Sequence, residues 1–430
     1  MQPSLTVQRS LTPNQIRGFW AAWAGLALDG MDSFIYALVL VPALRELLPA
    51  SGIKPDAASL GVYGSLLFSV FLVGWGCAFL WGPVADRFGR VRALTLAILC
   101  YSVFTFLGCM AANVWELGIF RLLAGFGTGG EFTGAAIFVA EELPEDLRVR
   151  AAGFLNSGYY AGTIIAALAN YLIGAKYGWR VMFILGGVPA LFIGIIRQFV
   201  DEPERWKKRV ATLGHWKAFD SLRMLFAPEY FRRTCLNCLF LLISMVGLWA
   251  GSVYAPGAVT EVSTRMGYGA AAASRIASLA TILLASGTIA GCLLMAPLAG
   301  RFGRRGALAV YFVLMAVAVA GGFGLAFYLP KIALGAFIAC LLFVGIGGAS
   351  FAVYLTWIPE QYRTECRGSA LSLAMSVGRF VAAAATSLVG AGVAHYKTIG
   401  IPVAMTSVVF ILGLFLLPLA IETRGKPLPE

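Results

Sequence analysis

Long apolar runs, each bounded by charged residues or by Pro and Gly, recur twelve times along this chain, at 18–44, 58–82, 93–112, 114–139, 151–174, 178–199, 235–257, 276–299, 307–329, 332–356, 368–394 and 398–421. Each is close to the roughly 20 residues that carry a helix across a bilayer, where backbone polar groups must be satisfied within the segment. The pattern predicts an all-α membrane protein with twelve transmembrane helices. Composition agrees, since 59% of the 430 residues are apolar and 13% are charged, against about 25% charged in soluble domains. Soluble enzymes and nucleic-acid binders are excluded on this ground.

The formal charge of +12 is explained by position. With the N-terminus taken as cytoplasmic, inner segments hold 23 of the 33 Lys and Arg and outer loops hold 8; Arg121 and Arg379 fall inside spans. This asymmetry predicts both termini in the cytoplasm and a multi-pass protein of the cell inner (plasma) membrane, in contact with lipid and with no nucleic-acid partner. The eight cysteines lie mostly in or beside apolar runs and read as small hydrophobes. Cys235-x-x-Cys238 lacks a second pair to complete a zinc site, so no metal is expected. The mostly polar start lacks the apolar core of a signal peptide, and no cleaved leader is expected.

A basic segment at 200–234, with Arg205, Lys207, Lys208 and Arg209 among its charges, divides the chain into two groups of six spans. It reads as a linker on the anionic inner leaflet. The expected units are a cytoplasmic N-terminus 1–17, a six-helix bundle 18–199, the linker 200–234, a second bundle 235–421 and a tail 422–430. Two echoes mark the halves as a duplication. Gly82-Pro-Val-Ala-Asp86-Arg87-Phe-Gly-Arg90 returns as Ala296-Pro-Leu-Ala-Gly300-Arg-Phe-Gly-Arg304, and Leu143-Pro-Glu-Asp-Leu-Arg148 returns as Ile358-Pro-Glu-Gln-Tyr-Arg363, offset by 214 and 215. Duplicated halves with a site between them are the plan of alternating-access transporters.

Over nearly its whole length the chain resembles the major facilitator superfamily. The resemblance rests on Gly82-x-x-x-Asp86-Arg-x-Gly-Arg90, on Arg121-x-x-x-Gly125-x-Gly127-x-Gly129 and on Glu422-Thr-Arg-Gly425. It implies two pseudo-symmetric six-helix bundles, the major facilitator fold. Asp29-Gly-Met-Asp32, Gly129-Gly-Glu131-Phe-Thr-Gly134 and Glu141-Glu-Leu-Pro-Glu-Asp-Leu-Arg148 resemble the metabolite/proton symporters, nearest the carriers of sialate, lactate-type and aromatic acids, with similarity also to osmolyte carriers. By the same resemblance Gly82, Asp86, Arg87 and Arg90 form a gating latch that stabilises the outward-open state; simple topology determination is the alternative. Gly300 stands where Asp86 stands in the first half, which departs from a symmetric acidic latch.

Ionisable groups inside a membrane span are functional candidates by default. At about 1.5 Å per residue, Asp29 lies about 18 Å from the inner edge, Glu131 about 15 Å and Arg379 about 17 Å, all near the midplane. Asp32 shares its depth with Arg121, which predicts an ion pair that protonation would break, or a permanent bridge that only fixes packing. The resemblance supports the first, because Gly30-x-Asp32 matches the span 1 acid that pairs with such an Arg in proton-coupled sugar porters. Asp29 is one turn from Asp32 on the same face. Proton coupling is therefore assigned to Asp29, Asp32, Glu131 and Arg121. Arg379 can hold a carboxylate bidentately; the alternative is an Arg neutralised by Glu131 or by helix carbonyls. Asn156, Tyr159, Tyr160, Trp249 and Tyr254 are candidate lining residues, or else packing.

His215 and His395 lie outside this constellation, and no Walker, H-E-x-x-H or serine-nucleophile motif occurs. The chain is thus expected not to be an enzyme. It reads as a monomeric secondary transporter that takes up a small organic anion, a monocarboxylate, by proton symport, with protons as coupling ion and no other cofactor. The alternatives are a symporter of a zwitterionic osmolyte or sugar and a proton-antiport exporter.

Overall fold

The computed structural model describes residues 11–189, 202, 219–426 and 428–429. Every regular element among them is helical. Span 1 is a single helix, Pro13–Ala50, that starts at a capping box. Thr12 accepts from the Gln15 amide and the Gln15 side chain accepts from the Thr12 amide, while Pro13 occupies a first-turn position that needs no N–H donor. Span 2 runs through Ala57–Gly76, a 3-10 turn at Cys77–Leu80 and Trp81–Phe88. Span 3 is Arg90–Gly108 and span 4 is Val114–Glu142, capped by the Asn113 side chain, which accepts from the amides of Trp115 and Glu116.

Span 5, Glu145–Ala169, continues through a π-helical stretch at Asn170–Gly174 into Ala175–Tyr177. Span 6 opens with Trp179–Gly186, and its remainder lies outside the described residues. Span 7, Pro228–Val253, bends at Tyr254 into Ala255–Arg265 and begins inside the segment expected as linker. Most of that linker, with Arg205, Lys207, Lys208, Arg209 and His215, lies outside the described residues. Spans 8 and 9 share one helical stretch, Ala270–Gly324, broken at Gly303. Span 10 is Ala333–Gly348 with Ser350–Trp357, span 11 is Arg367–Tyr396, and span 12 is Gly400–Met405 with Val408–Leu416. Nine stretches among the described residues are long and apolar enough to cross a membrane. One of them, Arg275–Tyr328, holds two spans, and spans 5 and 6 complete the twelve.

The duplication is visible at the hairpins. Gly89 (φ 117°) turns span 2 into span 3, and Gly303 (φ 76°) turns span 8 into span 9, both in the positive-φ region that favours glycine. Each turn is fastened by an acid that follows the sixth span of its half. The Glu202 carboxylate accepts from the amides of Val91 and Arg92, and that of Glu422 from those of Arg304 and Arg305. Burial disfavours the charged Glu422, but amides of Arg304, Arg305, Arg424 and Thr423 outweigh it and hold the carboxyl below its ordinary range.

The first and last described residues lie on one face, here the terminal face, where Gln15 meets Glu142 and Arg367 meets both Glu141 and Pro429, and the halves are closed against each other there. Arg367 of span 11 pairs with Glu141 of span 4 at 3.2 Å, both side chains fully buried. Gly82 packs on span 11 so closely that a Cβ would sit 2.3 Å from Ser372 Oγ and 2.7 Å from Ser369 Cα. Asn156 of span 5 donates to Cys292 Sγ of span 8 at 3.3 Å. At the far face, hydrogen bonds instead join elements of the same half, as between Trp179 and Glu46 (2.7 Å) and between Tyr328 and Thr398 (2.9 Å).

Candidate functional site

Glycines decide how deep the charges sit. Where spans 1 and 5 cross, a Cβ on Gly30 would lie 1.9 Å from the Tyr159 carbonyl and one on Gly162 would lie 1.7 Å from that of Ala27. This close approach brings the acidic turn of span 1 beside Tyr159. Gly25 leaves room for Glu131, whose Oε1 lies 2.2 Å from where a Cβ would be. Asp29, Asp32, Glu131 and Arg121 are all fully buried, and Arg379 is 4% exposed.

These groups form one electrostatic cluster. Asp29 lies within electrostatic reach of Glu131 and Asp32, which are like charges, and of Arg379, with which it makes no direct ion pair. Its Oδ1 accepts a long bond, 3.5 Å, from Ser33. Neither carboxylate oxygen of Asp32, nor of Glu131, has a hydrogen-bond partner among the described residues. Buried polar atoms are rarely left so, because each lost bond costs about 1–3 kcal/mol and more for a charged group.

The direct ion pair expected between Asp32 and Arg121 is not formed. Arg121 donates to Thr105 Oγ1 at 2.9 Å, and its guanidinium lies over the rings of Tyr36 (5.1 Å), Phe183 (5.1 Å) and Phe71 (5.7 Å). Asp32 feels Arg121 through space without a bond. Matched depth along two helices did not reveal that an aromatic cage on spans 1, 2 and 6 holds the cation.

Arg379 reaches from span 11 across to the first half and stacks on Trp75, its guanidinium carbon 3.9 Å from the ring centroid. Trp75 in turn meets Trp249 edge-on at 6.0 Å, and Phe68 meets Trp249 at 5.6 Å on the far-face side. Beneath lies a cavity of about 70 Å³ between the halves. Arg379, Asn156, Tyr159, Tyr160 and Trp249 line it, together with Phe34, Trp75, Phe132, Thr163, Met245 and Phe351. Tyr254 does not. It sits at the bend of span 7, where its hydroxyl donates to the Thr386 carbonyl at 3.0 Å. Trp75 carries a signal in the sequence, since Phe68, Phe71 and Trp75 share one helical face of span 2.

Of the latch residues, Gly82 contacts span 11 as described, and Arg87 is exposed with its guanidinium over Phe88 at 5.3 Å. The side chains of Asp86 and Arg90 lie outside the described part of the structure. The buried pair Glu141–Arg367 was not singled out from sequence, because nothing in it links position 141 to position 367. Among the described residues no group of three or more His, Cys, Asp or Glu could hold a metal.

The Major Facilitator Superfamily signature matches residues 22–386. A probable 4-methylmuconolactone transporter of Cupriavidus pinatubonensis is 29% identical over 425 residues, covering 96% of this chain and 92% of that protein. A sialic acid transporter of Escherichia coli is 32% identical over 198 residues, 46% of this chain and 47% of its own length. Among solved structures, the proton:xylose symporter XylE bound to 6-bromo-6-deoxy-D-glucose superimposes with a TM-score of 0.76 at 21% identity, covering 96% of this chain and 98% of that one.

Proposed function

The chain belongs to the Major Facilitator Superfamily and is a membrane transporter rather than an enzyme, and on that premise we propose that it takes up a small organic anion, a monocarboxylate, together with protons by alternating access. One observation carries the reading: the Arg379 guanidinium, centred over the Trp75 ring, lines the cavity between the halves within electrostatic reach of Asp29. A planar guanidinium with its face on a ring keeps its edge for a carboxylate. The sialic acid carrier among its relatives is named for an acid, which fits this chemistry.

Charge counting then gives the coupling. Three buried acids, Asp29, Asp32 and Glu131, face two guanidiniums, Arg121 and Arg379. A site in low dielectric stays near neutral, so one proton resides on the Asp29–Glu131 pair at rest. A bound carboxylate adds a negative charge and occupies Arg379, and Asp29, deprived of its cation, takes a second proton. The loaded cavity is again neutral and the halves can rock around it. Asp32 answers to Arg121 through space and tunes the pair. Asn156, Tyr159, Tyr160 and Trp249 shape the pocket around the rest of the substrate.

The excess of basic residues in alternate loops supports cytoplasmic termini in the inner membrane. In that orientation the structure is closed to the cytoplasm, with Gly82, Asp86, Arg87 and Arg90 at the gate. Bundles 18–199 and 235–421 are the moving units, 200–234 is their linker, and a monomer suffices because one chain supplies both walls. Protons are the coupling ion, without another cofactor.

The test is uptake into proteoliposomes across a panel of labelled carboxylates, betaine and xylose, with and without an inward proton gradient. Accumulation of a monocarboxylate that disappears with the gradient and ignores an imposed potassium-diffusion potential is expected for one proton per anion. Gradient-independent uptake would refute the coupling, and selective uptake of betaine or xylose would refute the anion.

A further inference from the structure

A second depression, of about 560 Å³, opens on the terminal face away from the central cavity. Span 1 contributes Ile16 and Trp20, span 5 contributes Leu147 and Phe154, and span 8 of the other half contributes Leu293 and Pro297. Its wall is an aromatic cluster: Trp20 meets Phe154 edge-on at 5.7 Å and Trp23 at 5.8 Å. The trough faces outward, with Trp20 51% and Leu293 53% exposed. Among the described residues that line it, Arg150 is the one charged residue and none is acidic. Arg150 is exposed and has no hydrogen bond or ion pair among the described residues.

An apolar trough with a guanidinium at its mouth, in the first turns of spans 1 and 5, places the charge at headgroup depth and the trough just inside the hydrocarbon. We propose that this groove binds one anionic phospholipid, its phosphate on Arg150 and an acyl chain along the wall from Trp20 to Leu293. The chemistry is matched at both ends. Guanidinium and phosphate form charge-assisted bonds, and basic pockets between spans select anionic headgroups. A partner from water would meet the charge but would have to enter hydrocarbon to fill the trough. The site is separate from the transport cavity and does not depend on which substrate is carried. Because its walls come from both halves, it is complete when the terminal face is closed, and a lipid there favours that state by its differential affinity.

The experiment is native mass spectrometry of the full-length protein in detergent, offered equal phosphatidylglycerol and phosphatidylcholine. The wild type is expected to retain one phosphatidylglycerol with a preference of about tenfold, the worth of one charge-assisted bond. Arg150→Gln, an exposed change, should lose the preference, and Ala296→Trp, which fills the trough, should lose the lipid. Equal retention of the two lipids by the wild type, or wild-type retention by Arg150→Gln, overturns the proposal. Should Ala296→Trp fail to fold, quenching of Trp20 by phosphatidylglycerol brominated on its acyl chain decides. Quenching that is weaker in Arg150→Gln than in the wild type supports the site, and equal quenching overturns it. A dimer in lipid-free detergent that Arg150→Gln or Ala296→Trp disrupts would assign the trough to a second copy and also overturn it.

Discussion

If Asp29 and Arg379 are mutual partners across the two halves, removing both should hurt less than the sum of removing each. Arg379→Met takes away a guanidinium stacked 3.9 Å from the Trp75 ring centre, worth about 2 kcal/mol in a desolvated setting. It also leaves Asp29 buried without the cation it senses through space, and because such an acid takes up a proton the added cost is that of an unsatisfied buried group, about 1–3 kcal/mol. The single variant should therefore lose roughly 3–5 kcal/mol, since the two effects add to first order. Asp29→Asn removes the acid that faces the guanidinium instead, but the Trp75 ring remains against it, so its loss should be smaller, about 2 kcal/mol. In the double variant neither charge remains, and only the stacking loss of about 2 kcal/mol should persist. The assay is equilibrium unfolding in mixed micelles at neutral pH for all four proteins, with detergent chromatography confirming each starting state. A double variant at least as stable as Arg379→Met, with a coupling of several kcal/mol, is expected. Additivity within about 0.5 kcal/mol, the behaviour of independent sites, would refute the pairing and with it the charge counting behind proton coupling.

Glu422 is ionised below its ordinary range because of the four amides it accepts from. A depressed carboxyl adds stability above its unfolded value that is lost as pH falls through the folded one, so acid unfolding of Glu422→Gln should show a shallower limb below about pH 4.5 than wild type, as read by circular dichroism. Gly162→Ala drives a methyl to 1.7 Å from the Ala27 carbonyl; overpacking of about 1–3 kcal/mol should lower the thermal midpoint, while Gly52→Ala, where nothing lies within 4 Å but φ is 76°, should cost less. Gly82→Ala, whose methyl would lie 2.3 Å from Ser372 Oγ and 2.7 Å from the Ser369 Cα, should wedge the closed gate apart and slow uptake; wild-type uptake by this variant would show that the contact is not needed for transport.

The spans and their count were legible because the bilayer imposes them: a helix that must satisfy its own backbone in hydrocarbon announces itself as a long apolar run. Even the duplication could be read, since the Gly89 and Gly303 turns each need a residue that tolerates positive φ, and such residues persist at matched places. Depth along each helix was also sequence information, and it brought Asp29, Glu131 and Arg379 to one level. Rotation about each helix axis and partners across the halves were not. Asp32 and Arg121 share a depth, yet Arg121 turns into the rings of Tyr36, Phe71 and Phe183 and toward Thr105. Tyr254 lies near the cavity in sequence, but the bend of span 7 hands its hydroxyl to Thr386. Trp75 under Arg379 and Glu141 against Arg367 join residues hundreds of positions apart. Such contacts are set by how two bundles close on each other, a packing choice among all helices at once, and no local pattern along the chain encodes it.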